Sequence, residues 1–167
     1  KGELFRINFT EKISKMPSMI LGIDSTMTKE GKKFVLSASF NRNFNKFYTD
    51  FKIDKENESA LEYLIKSALD HFSNVNNKNL PGRVIIYRQG GNEKQTEKMM
   101  KFELPKILKA FDEYKDNYKP KLSIFGVNKK TDLKFFERSN DGYRNIPAGT
   151  VIDKNVVSPD VFEFYLQ

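Results

Sequence analysis

Residues 83–95 read "RVIIYRQGGNEKQ", and three signals follow one another within them. Val84, Ile85, Ile86 and Tyr87 form an apolar run bounded by charge, the pattern of a buried strand. Gly90 and Gly91 supply a tight turn. Asn92 and Gln95 then have the Asn-x-x-Gln spacing of a capping box, which opens a helix by satisfying its first free N–H groups. A buried strand running straight into a helix is the unit from which layered α/β domains are built.

Working outward, the apolar positions Met99, Leu104, Ile107, Leu108 and Phe111 continue that helix, with Pro105 marking a kink or restart. Upstream, Leu61, Leu64, Ile65, Ala68, Leu69 and Phe72 recur at helical spacing and predict a helix over 59–74 with one apolar face. Before it come "MILGID" (Met19–Asp24), a short strand ending in an acid, and the alternating "KFVLSASF" (Lys33–Phe40) and "KFYTDFKI" (Lys46–Ile53), expected to be its antiparallel neighbours. Downstream, "KLSIFGV" (Lys121–Val127) is a further strand. Shorter β segments are expected at Leu133–Phe136, Gly149–Asp153 and Val161–Leu166, with a mobile polar loop over Glu137–Asn145. The order β-β-β-α-β-α-β, with a carboxylate closing the first strand, is the arrangement of ribonuclease H-like folds: a mixed β-sheet flanked by helices.

Composition narrows the chemistry. At 167 residues the chain has about one domain's length, and 15 Phe can fill its core. No cysteine is present, which excludes disulfides, thiolate metal clusters and a thiol nucleophile, and is in keeping with an intracellular protein, cytoplasmic or nuclear. The single histidine, His71, falls beside Phe72 in an amphipathic helical pattern and reads as a boundary residue. No apolar run approaches the roughly 20 residues that span a bilayer, so no membrane partner is expected. Twenty-nine Lys+Arg against 22 Asp+Glu favour a polyanionic partner, nucleic acid first. There is no P-loop or Gly-x-Gly-x-x-Gly to support nucleotide hydrolysis or dinucleotide chemistry.

Several blocks taken together resemble the PIWI domain of the Argonaute/Piwi family. "MILGIDS" is similar to its first-strand motif, apolar-Gly-apolar-Asp, and "PGRVIIYRQGGNEKQ" to its Pro-x-x-Ile-apolar-apolar-Tyr-Arg-Asp-Gly-Val-x-x-x-Gln. "FELPKI" (Phe102–Ile107), "YKPKLSIFGVNKK" (Tyr118–Lys130) and "NIPAGTVIDKNVVSPDVFEFYL" (Asn145–Leu166) follow in order and spacing. "LFRIN" (Leu4–Asn8) resembles the segment where the MID domain passes into PIWI. The resemblance implies a connecting segment at 1–18 and a PIWI domain, truncated at its C-terminus, over 19–167.

Family members cut a target RNA paired to a guide strand with a cluster of Asp, Glu, Asp and a final His or Asp around two Mg²⁺ ions. Asp24 matches the first position. Gln89 stands where the second Asp belongs, and Tyr87, Arg88, Gly90 and Gln95 hold the register around it. An amide oxygen can touch Mg²⁺ but brings no net charge. Glu56, with Glu58 as the alternative, matches the third anion, and the fourth ligand lies in the family just beyond Gln167. Asp24 is thus expected to be at most a weak metal ligand, and Mg²⁺ a cofactor only if activity remains. For guide binding, Arg6 aligns with a lysine near the guide's 5′ phosphate, Thr10 replaces a second lysine with Lys12 close by, and Lys129, Lys130 and Lys134 align with basic residues on the guide's seed backbone. Without the resemblance, Asp24 reads as a turn-capping acid and the lysines as a solvated cluster on an edge strand.

What the resemblance implies is a ribonucleoprotein of RNA-mediated gene silencing, related to RNA interference, that binds small guide RNA and complementary target RNA without slicing. The alternatives are an active Mg²⁺-dependent endoribonuclease, in which Gln89 is tolerated, and a platform for silencing cofactor proteins that uses the helical region 92–114.

Overall fold

The structure is a computed structural model that describes residues 15–54, 59–90, 92–129, 131–158 and 162–167. The chain divides into two compact units, residues 1–128 and 129–167. In the first, β1 (Ser18–Thr28), β2 (Gly31–Ser39), β3 (Phe47–Ile53), β4 (Arg83–Gln89) and β5 (Lys121–Val127) form one sheet in the order β3-β2-β1-β4-β5. β1, β2 and β3 make an antiparallel meander, whereas β1, β4 and β5 are parallel. Of the two antiparallel strands, only β2 touches β1; β3 pairs with β2 at the sheet's edge.

Strand alternation decides what faces the core. Met19, Leu21 and Ile23 of β1, Phe34, Leu36 and Ala38 of β2, and Val84 and Ile86 of β4 are all buried on one face. Onto that face pack α1 (Ala60–Val75), through Leu61, Leu64, Ile65, Leu69 and Phe72, and α3 (Leu104–Tyr114), through Ile107, Ala110 and Phe111. Ser59 caps α1 by accepting from the Glu62 N–H, so the helix begins one residue later than its apolar pattern suggests. His71 is half-buried between the rings of Phe40 and Tyr48, the boundary position expected of it. On the opposite face, Phe47, Phe51 and Tyr87 remain about half exposed, at 54%, 57% and 46%.

Two differences from the sequence reading have clear causes. The strand containing "MILGID" does not stop at Asp24: it runs on to Thr28, because Ser25–Thr28 pair with Gly31–Phe34 in a tight hairpin. The helix after the glycine turn is broken in two. α2 (Glu93–Lys98) passes through a π-helical turn, Met99–Glu103, into α3. Pro105 has no N–H to give the Lys101 carbonyl, so the helical ladder shifts register there, and the Leu104 N–H bonds the Met99 oxygen five residues back.

The second unit is strand-poor. The segment expected to be a mobile loop over Glu137–Asn145 is instead a hairpin of β6 (Phe136–Ser139) and β7 (Gly142–Asn145), turned at Asn140–Asp141, with Gly142 at φ 123°. The absence of a buried apolar face concealed it, since its aromatics, Phe136 and Tyr143, both stay exposed. β8 (Val151–Ile152) pairs with β9 (Tyr165–Leu166), each shorter than the apolar segments that contain them.

The burial pattern predicts where truncation hurts. Leu64→Ala, at a side chain sealed between α1 and the sheet, should cost on the order of 3 kcal/mol in urea unfolding. Leu108→Ala, 45% exposed on α3, should cost less than about 1 kcal/mol.

Candidate nucleic-acid site at the strand ends

The parallel pairing of β1 with β4 ends at Ile23 opposite Arg88. Continuing the register by one residue brings Asp24 opposite Gln89. Alternation places both on the face away from α1 and α3, with Gly22 and Tyr87, which pair one row earlier. In an open sheet, the crevice beyond the carboxyl ends of strands whose connections diverge is where ligands bind. β1 leads to β2 on one side and lies beside β4 on the other; Gln89 ends β4, and Asp24, inside β1, stands where the pairing of β1 with β4 ends.

Both side chains are exposed. The Asp24 carboxylate accepts from the Ser25 N–H at 2.6 Å, a contact inside β1, so the turn-capping role of a strand-end acid does not apply. The Arg88 guanidinium lies 3.8 Å from its Oδ1. Gly90 follows Gln89 at φ 104°, a conformation glycine adopts without strain, and donates its N–H to the Val127 oxygen. A Cβ at Gly90 would stand 3.0 Å from Gln95 Oε1, so the Gln95 amide rests against the glycine. Asn92 does cap α2 by accepting from the Gln95 N–H. Only half of the anticipated capping box is seen.

Beneath the exposed pair lies an ion-pair network. Arg88 Nε and Nη2 donate to Glu103 Oε2 and Oε1 at 2.8 and 3.1 Å, and Lys32 Nζ reaches Oε1 at 3.1 Å. Arg88 also donates to Ser25 Oγ at 2.6 Å and to the backbone carbonyl of Gln89 at 2.9 Å. Arg88 and Glu103 side chains are each only 12% exposed. Burial alone would push the Glu103 carboxyl's pKa up; the hydrogen bonds and charges of Arg88 and Lys32 outweigh it and hold the group below its ordinary value. In the sequence Glu103 stands out only as part of "FELPKI", with no role assigned to it. Its signal was an acid immediately before a helix-breaking proline pattern, which does not by itself reveal a partner on β4.

Among the described residues, no three His, Cys, Asp or Glu side chains converge as a metal site. Among the described residues this seam carries one carboxylate, Asp24, with an amide beside it and a guanidinium within 4 Å, fewer anions than a pair of Mg²⁺ ions asks for. Glu56 and its alternative Glu58 lie outside the described residues, as do Arg6, Thr10, Lys12 and Lys130. Lys129 and Lys134 are exposed in the second unit, in the connection between β5 and β6 and not on an edge strand.

A mixed five-stranded sheet of this order, with an acid at the β1–β4 seam, defines a ribonuclease H-like domain. The Piwi domain model matches residues 2–167, and the chain belongs to the Argonaute/Piwi family. It is 29% identical over 99% of its length to Piwi-like protein 1 of Danio rerio, and 32% identical over 90% to Piwi-like protein 1 of Schmidtea mediterranea. It spans 19% of each of these relatives. Its fold matches the C-terminal lobe of a budding yeast Argonaute with a TM-score of 0.75, at 19% identity, over 95% of this chain and 37% of that one. Drosophila Piwi matches with a TM-score of 0.66, at 21% identity, over 90% of this chain and 21% of that one. No helix among the described residues is long and apolar enough to cross a membrane.

The Arg88–Glu103 pair makes stability depend on acid. Because the folded-state pKa of Glu103 is depressed, its contribution is present above the ordinary value of 4.5 and is lost as pH falls through the lower folded value. Glu103→Gln should therefore lower stability by on the order of 3 kcal/mol near neutrality, leaving Arg88 buried without its counter-charge. In thermal melts, the gap between wild type and variant should narrow below about pH 4.5, where a protonated Glu103 resembles the glutamine.

Proposed function

We propose that the natural protein binds a small guide RNA, holds RNAs complementary to it, and silences them by occupancy or by recruiting other proteins, without cutting. Family membership supports the RNA-guided part, and a related Argonaute from Kluyveromyces polysporus has been crystallised with a guide RNA. The observation that carries the non-slicing part is the partner of Asp24 across the seam: an amide, Gln89, where the family places a carboxylate.

The reason is electrostatic. Two divalent cations about 4 Å apart repel strongly, and several anionic ligands must offset that repulsion before they can activate a water and stabilise a leaving oxygen. At these strand ends the charges of Asp24 and Glu103 are matched by those of Arg88 and Lys32. Little negative potential is left for Mg²⁺. RNA backbone contacts ask for the opposite sign, and exposed Lys129 and Lys134 offer it, together with Arg6 and Lys130 from the sequence pattern.

The test uses the full-length natural protein loaded with a guide, a matched RNA target and Mg²⁺. Matched target should be bound and remain intact; one cut within the guide–target duplex would overturn the proposal and favour the endoribonuclease reading. Gln89→Asp should raise divalent-ion affinity by on the order of tenfold, because it adds an anion next to Asp24.

A further inference from the structure

The β1–β2 hairpin continues past Asp24 through the pairs Ser25–Phe34, Thr26–Lys33, Met27–Lys32 and Thr28–Gly31. Its tip is fixed by Thr28, whose hydroxyl donates to the Gly31 oxygen at 2.8 Å and accepts from the Glu30 N–H at 3.2 Å. Alternation sends its two adjacent lysines to opposite faces. Lys32 turns to the helix side and is consumed by Glu103. Lys33 turns to the open face, the side that carries Asp24 and Gln89.

There the Lys33 ammonium sits 3.8 Å from the centroid of the Phe51 ring, and among the described residues it is matched by that ring and by no carboxylate. Phe51 pairs with Val35, and Val35 with Asp24, so the ring shares a cross-strand row with Asp24. Two strand spacings separate them, roughly 10 Å. Lys33 lies one row nearer the hairpin tip, opposite Thr26. A cation over an exposed ring is held in place by the ring's quadrupole while its N–H donors stay in water. A compact ammonium so placed suits a phosphate, which asks for charge and not for planar geometry.

We propose that Lys33, positioned by Phe51, contacts a backbone phosphate of the RNA strand that passes over the Asp24–Gln89 end of the sheet. The inference rests on the RNA-binding reading above and names a contact outside the guide-anchoring residues. Contacts of this kind position a strand without reading its bases. β3 supplies an internal control. Lys52, next to Phe51 in sequence, lies 3.7 Å over Tyr63 of α1 in the same cation–ring arrangement, but on the helix side of the sheet.

The experiment measures binding of fluorescent RNA to the guide-loaded full-length protein by anisotropy, from about 50 to 200 mM salt. Lys33→Gln should weaken matched-target binding by about three- to tenfold at the low end. It should also make the log–log salt dependence shallower by roughly 0.7 to 0.9, the release expected from one phosphate contact. Lys33→Arg should restore the wild-type slope, and Lys52→Gln should leave it unchanged. A wild-type slope in Lys33→Gln, or the same loss in Lys52→Gln, would overturn the inference. Wild-type protein that binds matched and scrambled RNA equally would sink the guide reading alone, since the Lys33 slope can be read on either RNA.

Discussion

The guanidinium of Arg88 is the joint on which the strand-end architecture depends. Its donors go to Glu103 beyond α2, to Ser25 on β1 and to the backbone carbonyl of Gln89 on its own strand. One planar group thereby fixes three pieces of chain against each other. A buried ion pair contributes little net stability against an apolar replacement of the same shape, but leaving half of it behind is costly. Its value lies in geometry: the end of β4 can take one position relative to β1. The π-helical turn belongs to the same device. Without the shift in register at Met99–Glu103, the Glu103 side chain would lie on another side of the helix.

That joint also explains how one sheet end presents two electrostatic characters. On the helix side, opposite charges meet at hydrogen-bonding distance and neutralise each other. On the open side, Asp24 and Gln89 together bring one formal charge, while Lys33 stands over its ring a row further along. The period of a strand, two residues, separates these characters: neighbours in sequence such as Lys32 and Lys33, or Arg88 and Gln89, serve different faces. The Gln89 side chain belongs to the open side, whereas the Arg88–Glu103 clamp lies on the other.

Much of the fold was legible because its core follows periodic rules. The stripe from Leu61 to Phe72 and the alternation in β2 and β4 each had one reading, and Pro105 announced the break in the helix. Elements with no buried apolar face were not legible: the β6–β7 hairpin leaves Phe136 and Tyr143 exposed, and the extension of β1 to Thr28 is carried by hairpin pairing and not by burial. At the candidate site, the motifs around Asp24 and Gln89 single them out in the sequence, and the β1–β4 register brings them side by side. The Glu103 clamp was not legible, because its partner lies on another element and no spacing rule links an acid to an arginine fifteen positions earlier. Lys33 was hidden for a similar reason, since only the register of β2 with β3 reveals the ring beneath it.

The arrangement of strands has a consequence for how the molecule comes into being. β1, β2 and β3 join through short turns, so their contacts are close in sequence and can be made early in the life of the chain. β4 must wait for α1 to cross over before it reaches β1, and α3 must then complete the layer. Low contact order favours a meander that seats Asp24 before Gln89 arrives beside it. A nascent polypeptide halted between these two events would own a sheet and half a crevice.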